Sequence, residues 1–308
     1  MNKLKYPLLI LIGAASYGVL SSIMKVGIKE GFHVNQMLGS QYLFGWALLL
    51  LLMLIFSRKK LSAKQWIALL AVGVTMSGTS VFYGKAVERL PASIAVVLLF
   101  QFTWIGVLME AVADRRFPSR SKLISIVILI AGTLLAGGVV GESSGAAALD
   151  VRGVIYGLIS AFTFALYMFV SGRVGTEVPA FNKSFLMTTG AGVIVLAVFS
   201  PAFIWDGSLV EGLWKYGLLL GVLGVLIPVV FFAIGMPKVG SGTGAILGAA
   251  ELPAAVLASV FLVHEHVSGM QWMGIVLIFI GIGVPQIRFS RRKRVQQYDH
   301  NESAPAKG

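Results

Sequence analysis

The sequence predicts an all-α membrane protein of ten transmembrane helices, arranged as two inverted five-helix repeats. Three observations carry that prediction. Of 308 residues, 57% are hydrophobic and 12% charged, about half the charged share of an average soluble domain. The apolar residues gather into runs of about 20, the length at which a helix crosses the bilayer core. The runs also resemble one another at an offset of about 150 residues, the mark of an internal duplication. No cysteine is present, so neither a disulfide scaffold nor a thiolate metal site is available.

The spans follow in order. The first, 6 to 26, lies behind Lys3 and Lys5 and carries small residues at Ala14 and Ala15, much like a secretory signal. Its counterpart later in the chain identifies it instead as a retained helix. The second, 35 to 56, stops at the basic run Arg58-Lys59-Lys60; the third, 66 to 85, is unusually polar, with Thr75, Ser77, Thr79, Ser80 and Tyr83. The fourth, 92 to 112, ends at Asp114-Arg115-Arg116, and the fifth runs from 122 to 140. A small, polar segment, Gly141 to Arg152 (GESSGAAALDVR), reads as a linker. The remaining spans are 153 to 173, 184 to 204, 212 to 234, 241 to 263 and 270 to 287. The first repeat is therefore 6–140, the second 153–287, and a basic tail occupies 288–308.

Ten spans put both termini on one side. With that side inside, 19 of the 25 Lys and Arg residues fall in cytoplasmic segments. Lys25, Lys29, Lys85, Arg89, Arg152 and Lys215 remain outside. This asymmetry is the positive-inside pattern, and it predicts cytoplasmic termini. The net charge of +12 is thus spent on topology. The cluster Arg288 to Arg294 (RFSRRKR) reads as a contact to anionic lipid at the cytoplasmic face, with no nucleic acid as partner.

The duplication is visible in particular residues. Tyr17 and Ser21 of the first span fall on Tyr167 and Ser171 of the sixth; Asp114 falls near Glu265 and Gly132 near Gly283. Because each unit has five spans, the second copy crosses the membrane in the opposite sense. Inverted repeats of this kind place a site at the midplane between them.

Ten spans, the duplication, and a Gly-rich last span (Gly274, Gly281, Gly283) after an acidic residue and the run Gln271-Trp272-Met273 resemble the EamA-type transporters of the drug/metabolite transporter superfamily. Where that family usually carries Gly-Glu at the ends of the fourth and ninth spans, this chain reads Ala113-Asp114 and His264-Glu265. The resemblance implies a multi-pass permease of a bacterial inner membrane, most often an exporter of amino acids, other small metabolites or drugs. It implies no cofactor, and a monomer or homodimer is expected.

An ionisable side chain at bilayer depth costs about 2.5–3.5 kcal/mol, so each one needs a reason. Glu251, in the middle of the ninth span, precedes Pro253, which leaves a backbone carbonyl without its donor and kinks the helix. It is the candidate for proton coupling or for holding a cationic group; the competing reading pairs it with Lys25 or Lys85. Glu110, near the inner end of the fourth span, is expected to pair with Arg115 or Arg116. Tyr17 and Ser21 share one helical face with Gly13 and Lys25, and Tyr167 and Ser171 repeat it. With Thr79, Tyr83, Gln101, Trp104 and Glu251, these residues form the expected substrate-binding set. The bland alternative is interhelical hydrogen bonding by small polar residues.

Pro228, beside Gly224, and Pro253 are the expected hinges. No Walker motif, nucleophile elbow or helical metal-ligand spacing is present, and His264-Glu265-His266 lies in a loop. The expected function is a secondary transporter working by alternating access, not an enzyme, on a small-molecule substrate. The alternative is a lipid flippase with a laterally open cavity.

Overall fold

The structure, a computed structural model, describes residues 4–57, 59–90, 92–138, 150–264 and 266–302, with backbone alone at 92, 93 and 287–302. Most of the linker, residues 141–149, lies outside the described residues, as do Glu265 and the side chains of the basic tail. Among the described residues every element is helical.

The first half holds α1 (Lys5–Lys29), α2 (Val34–Phe56), α3 (Ala63–Val87), α4 (Ala92–Leu99), α5 (Phe102–Ala113) and α6 (Arg120–Ala136). The second holds α7 (Val151–Ser171), α8 (Ala180–Phe199), α9 (Trp214–Gly221), α10 (Ile227–Val239), α11 (Ser241–Gly248), α12 (Glu251–Ala258) and α13 (Gly269–Glu302). Three pairs run on as single spans across breaks: α4 with α5, α9 with α10, and α11 with α12. Among the described residues, nine helical segments are long and apolar enough to cross a membrane. The apolar helix α6, where a fifth span was expected, has 17 residues, about 25 Å at 1.5 Å per residue. It stops at Gly137-Gly138, the latter in the left-handed region at φ +73°.

Local sequence explains where the helices begin. Ser62 and Gln65 form a capping box at the start of α3, His33 and Gln36 another at α2, each satisfying backbone donors that the first turn leaves free. Ser119 and Asp150 cap α6 and α7. The seventh span, expected at 184–204, is shifted toward the N-terminus: Pro179 precedes it, and Ser200 (φ +58°) with Pro201 ends it. The last helix continues past 287 to Glu302.

Helices from the two halves interleave. α1 packs on α10 and α12, while α7 packs on α3, α4 and α5; α3 packs on α8, and α2 on α9. The pairs α2 with α8, α5 with α11 and α6 with α13 join corresponding spans. Close approach depends on glycine. A Cβ at Gly73 would lie 2.0 Å from the Met187 carbonyl oxygen, and one at Gly274 2.3 Å from the Ala136 nitrogen, so these crossings bring backbone against backbone.

The loops sort to two ends. At the end shared with the N-terminus, Arg173 pairs with Asp114 at 2.5 Å and Gln65 donates to Glu177 at 2.9 Å. At the opposite end, Arg89 pairs with Asp150 at 3.0 Å and Gln36 donates to Asp206 at 3.2 Å. Lys183, one of the topogenic basic residues in the sequence reading, is only 1% exposed, and its Nζ donates to the Ser171 carbonyl at 2.5 Å. It thereby occupies the negative, carbonyl-bearing end of α7.

Candidate functional site

Two spans are broken near their middles, at corresponding places. Between α4 and α5 the chain makes a turn at Phe100-Gln101; between α11 and α12 it makes one at Ala249-Ala250. At both, backbone bonds tighten to the i−3 carbonyl: Gln101 N to Leu98 O (3.2 Å) and Thr103 N to Phe100 O (3.1 Å), Ala250 N to Leu247 O (3.1 Å) and Leu252 N to Ala249 O (3.3 Å). In the second break Pro253 lies in the first turn of α12, where its missing N–H costs nothing, and its ring excludes a regular bond to Ala249. The first break has no proline. There the Gln101 side chain donates to the Val97 carbonyl at 2.9 Å and accepts from Trp104 Nε1 at 2.8 Å. An amide has thus taken a carbonyl from the backbone ladder.

Glu251 opens α12 directly after its break. A Cβ at Gly18 would lie 2.2 Å from the Glu251 carbonyl oxygen, so α1 runs in contact with this point and sets Tyr17 beside it. The carboxyl is within electrostatic reach of the hydroxyls of Tyr17 and Tyr83. The ion pairs among the described residues join Arg89 to Asp150, Lys122 to Glu110 and Arg173 to Asp114, so no described ion pair includes Glu251. Lys85 lies instead over the Tyr156 ring, 5.7 Å from its centroid.

An aromatic wall completes the surroundings. The Tyr17 ring meets Phe164 edge-on at 6.1 Å and Phe232 at 5.9 Å; Phe164 meets Phe102 at 4.7 Å and stacks on Tyr167 at 6.3 Å. Tyr42 of α2 joins through its hydroxyl, 3.2 Å from Ser80 Oγ. Thr79 Oγ1 is 3.3 Å from Thr163 Oγ1, tying α3 to α7. The structure thus brings together Tyr17, Thr79, Tyr83, Tyr167 and Glu251 from the sequence-predicted set. It adds Tyr42, Phe102, Phe164 and Phe232. Of these, Tyr42 carried a readable signal, a polar aromatic beside Gln41 in an otherwise apolar run.

Exposure along these faces differs between the two ends. Tyr167 and Ser171 are fully buried, as are Ser184 and Thr188 of α8. Tyr17, Thr79 and Tyr83 are half-buried, and Ser21 is exposed, its hydroxyl donating to the Gly18 carbonyl at 3.3 Å. Ser21 shares a face with Tyr17, whose ring points into the protein.

Both expected hinge prolines lie at discontinuities. Pro228 follows a π-helical turn at Val222–Leu226, and Ser16 of α1 donates to the Leu223 carbonyl at 2.5 Å. A carbonyl loosened from its helix is thereby satisfied from a neighbouring span. Glu110 lies outside the cluster. It pairs with Lys122, and its Oε1 accepts from Gly242 N at 3.1 Å at the start of α11. Among the described residues no group of three or more His, Asp or Glu is placed to hold a metal ion.

Comparison with known proteins agrees with this architecture. The sequence profile of the EamA-like transporter family matches twice, over residues 4–138 and 151–284. The uncharacterized transporter YwfM of Bacillus subtilis (strain 168) is 24% identical over 285 residues, covering 90% of this chain and 92% of its own. A crystal structure superposes with a TM-score of 0.70 at 20% identity, over 91% of this chain and 97% of that one; it shares the fold.

Proposed function

Because the chain belongs to the EamA-like transporter family and is thereby a multi-pass membrane transporter, we propose that it is a secondary permease working by alternating access. Its cargo is a small, partly apolar metabolite, an amino acid or a drug, moved outward across a bacterial inner membrane, and Glu251 carries the coupling proton. The observation that bears most weight is the placement of Glu251: a carboxyl at a broken span, packed where α1 crosses at Gly18 and within electrostatic reach of Tyr17 and Tyr83, with no ion-pair partner among the described residues. A carboxyl at bilayer depth is expensive, and a mid-span break that lines a cavity is where transporters hold substrate and coupling ions.

The packing supports the inverted repeat behind this reading. Exchanging the first five spans for the last five turns the contact of α3 with α7 into that of α10 with α1. It turns α3 with α8 into the contact of α9 with α2, and leaves α2 with α8 and α6 with α13 as self-paired axes. A tenth span, α6, completes the set. The half-exposed faces of Tyr17, Ser21 and Tyr83 fit a state open to the outer side, and the buried Tyr167 and Ser171 fit a closed inner gate. Aromatic faces suit an apolar or cationic group; Gln101 and Trp104, hydrogen-bonded to each other, act as wall and not as free donors.

The test is transport in proteoliposomes, with amino acids and small drugs as a competition panel, with and without an imposed pH gradient. The reading expects gradient-stimulated flux in the wild type and, in Glu251→Gln, flux that no longer responds to the gradient. Unchanged gradient dependence in that variant would remove proton coupling from Glu251.

A further inference from the structure

Away from the central cluster, at the end shared with the N-terminus, a cavity of about 420 Å³ opens between α2, α3 and α8, within the size range of small-ligand sites. Its chemistry is divided. Met53, Leu54, Leu61 and Leu186 make one wall apolar, while Lys59 and Lys60 stand exposed at its rim with Trp66. A pocket that is apolar within, basic at the edge and flanked by a half-exposed Trp at the end of a span matches the boundary between acyl chains and headgroups.

Two further features point to an anion. The cavity reaches Asn182, in the first turn of the 20-residue α8, whose N-terminus follows Pro179 without a side-chain cap; free N–H groups and the helix dipole favour negative charge there. Asn182 itself is 5% exposed. Its Nδ2 donates to the Lys59 carbonyl at 3.4 Å, and its buried Oδ1 has no hydrogen-bond partner among the described residues. Glu177 is engaged by Gln65 at 2.9 Å, and Lys59 Nζ donates to the Glu177 backbone oxygen at 3.4 Å. Among the described residues neither lysine forms an ion pair, although Lys59 lies within electrostatic reach of Glu177.

We infer that this cavity is a binding site for one anionic glycerophospholipid. Its phosphate lies between Lys59, Lys60 and the α8 N-terminus, and an acyl chain runs along Met53, Leu61 and Leu186. Basic pockets between spans are the sites that select anionic lipids. This site is independent of the cargo and of Glu251, so it stands or falls apart from the transport reading.

Native mass spectrometry of the full chain in detergent tests it, with phosphatidylglycerol and phosphatidylcholine of identical acyl chains added at equal concentration. The expected result is at least fivefold higher occupancy by phosphatidylglycerol, reduced to parity in K59Q/K60Q and unaffected by Lys29→Gln at the opposite end. Glycerol 1-phosphate, added alone, should leave no adduct, since the apolar wall contributes to binding. Equal occupancy by the two lipids in the wild type, or a preference that survives K59Q/K60Q, overturns the site. Retention of glycerol 1-phosphate reassigns it to a soluble phosphate ester.

Discussion

Gln101 and Glu251 stand 150 positions apart, and each lies at the break of a discontinuous span, the fourth and the ninth. The neutral amide is used up holding its own helix and Trp104; the acid lies where α1 crosses at Gly18, within electrostatic reach of Tyr17 and Tyr83. The two breaks thus carry one amide engaged by its own helix and one carboxyl outside every ion pair among the described residues. Gln101→Leu should therefore act on stability, removing two hydrogen bonds worth about 0.5–1.5 kcal/mol each, with flux per folded molecule within a factor of about three of wild type. Glu251→Gln should leave the melting temperature near or above that of wild type, because a costly acid within an apolar span is removed. Thermal melts in detergent, run beside flux assays, separate the two. The reverse pattern, a large loss of flux per folded molecule in Gln101→Leu, would put Gln101 in the transport machinery.

Much of this was legible in the sequence, for physical reasons. Spans are coarse features, and the hydropathy of about 20 residues is insensitive to local detail. The alignment of Tyr17 with Tyr167 pairs a half-buried ring with a buried one, while Ser21, aligned with the buried Ser171, is exposed. What escaped depended on single hydrogen bonds. No proline announces the break at Phe100-Gln101, since an amide side chain makes it. Lys183 read as a loop cation because its position near a span end gives no sign that the α7 carbonyls lie within reach. Glu110 was expected to bond Arg115 or Arg116, but Arg115 adopts φ +52° as the chain turns, and Lys122 on the returning helix is the partner instead.

That Glu110 arrangement gives a second prediction. The carboxylate joins Lys122 of α6 to Gly242 N of α11, and both charged side chains are under one-fifth exposed. Removing one partner of a buried pair leaves an uncompensated charge and costs about 3–5 kcal/mol, whereas replacing both by apolar groups is close to neutral. Glu110→Leu alone should lower the melting temperature sharply, and Glu110→Leu with Lys122→Met should recover most of it. A double-mutant cycle on thermal unfolding measures the coupling. Simple additivity of the two losses would mean that the ion pair contributes nothing.

The α3–α8 crossing gives a third. A methyl group at Gly73 would lie 2.0 Å from the Met187 carbonyl oxygen, and one at Gly190 2.2 Å from that of Leu70. Backbone cannot yield as a side-chain tip can, so the helices must separate, at about 1–3 kcal/mol or more. Gly73→Ala and Gly190→Ala should each reduce the yield of monodisperse protein on size-exclusion chromatography. Gly192→Ala, where a Cβ meets nothing within 4 Å, should elute as wild type does.

The loop after α8 gives a pH dependence. Asp206 accepts from Ser208 Oγ at 2.5 Å, from Ser208 N at 2.9 Å and from Gln36 Nε2 at 3.2 Å. The Ser208 side chain first, then its backbone N–H, holds the carboxyl below the ordinary carboxylate range. A group whose folded pKa is depressed contributes stability that is fully present above its unfolded value, about 3.9 for Asp, and lost as pH falls through the folded one. The tie between α2 and this loop should therefore hold from neutral pH to about 4 and weaken below it. Hydrogen exchange at the amides of 206–208 reads this locally: protection in the wild type should fall between about pH 4 and 2, after correction for intrinsic rates. In Asp206→Asn protection should be lower at neutral pH and flat across that window. A wild-type profile as flat as that of the variant would show that Asp206 does not hold the loop.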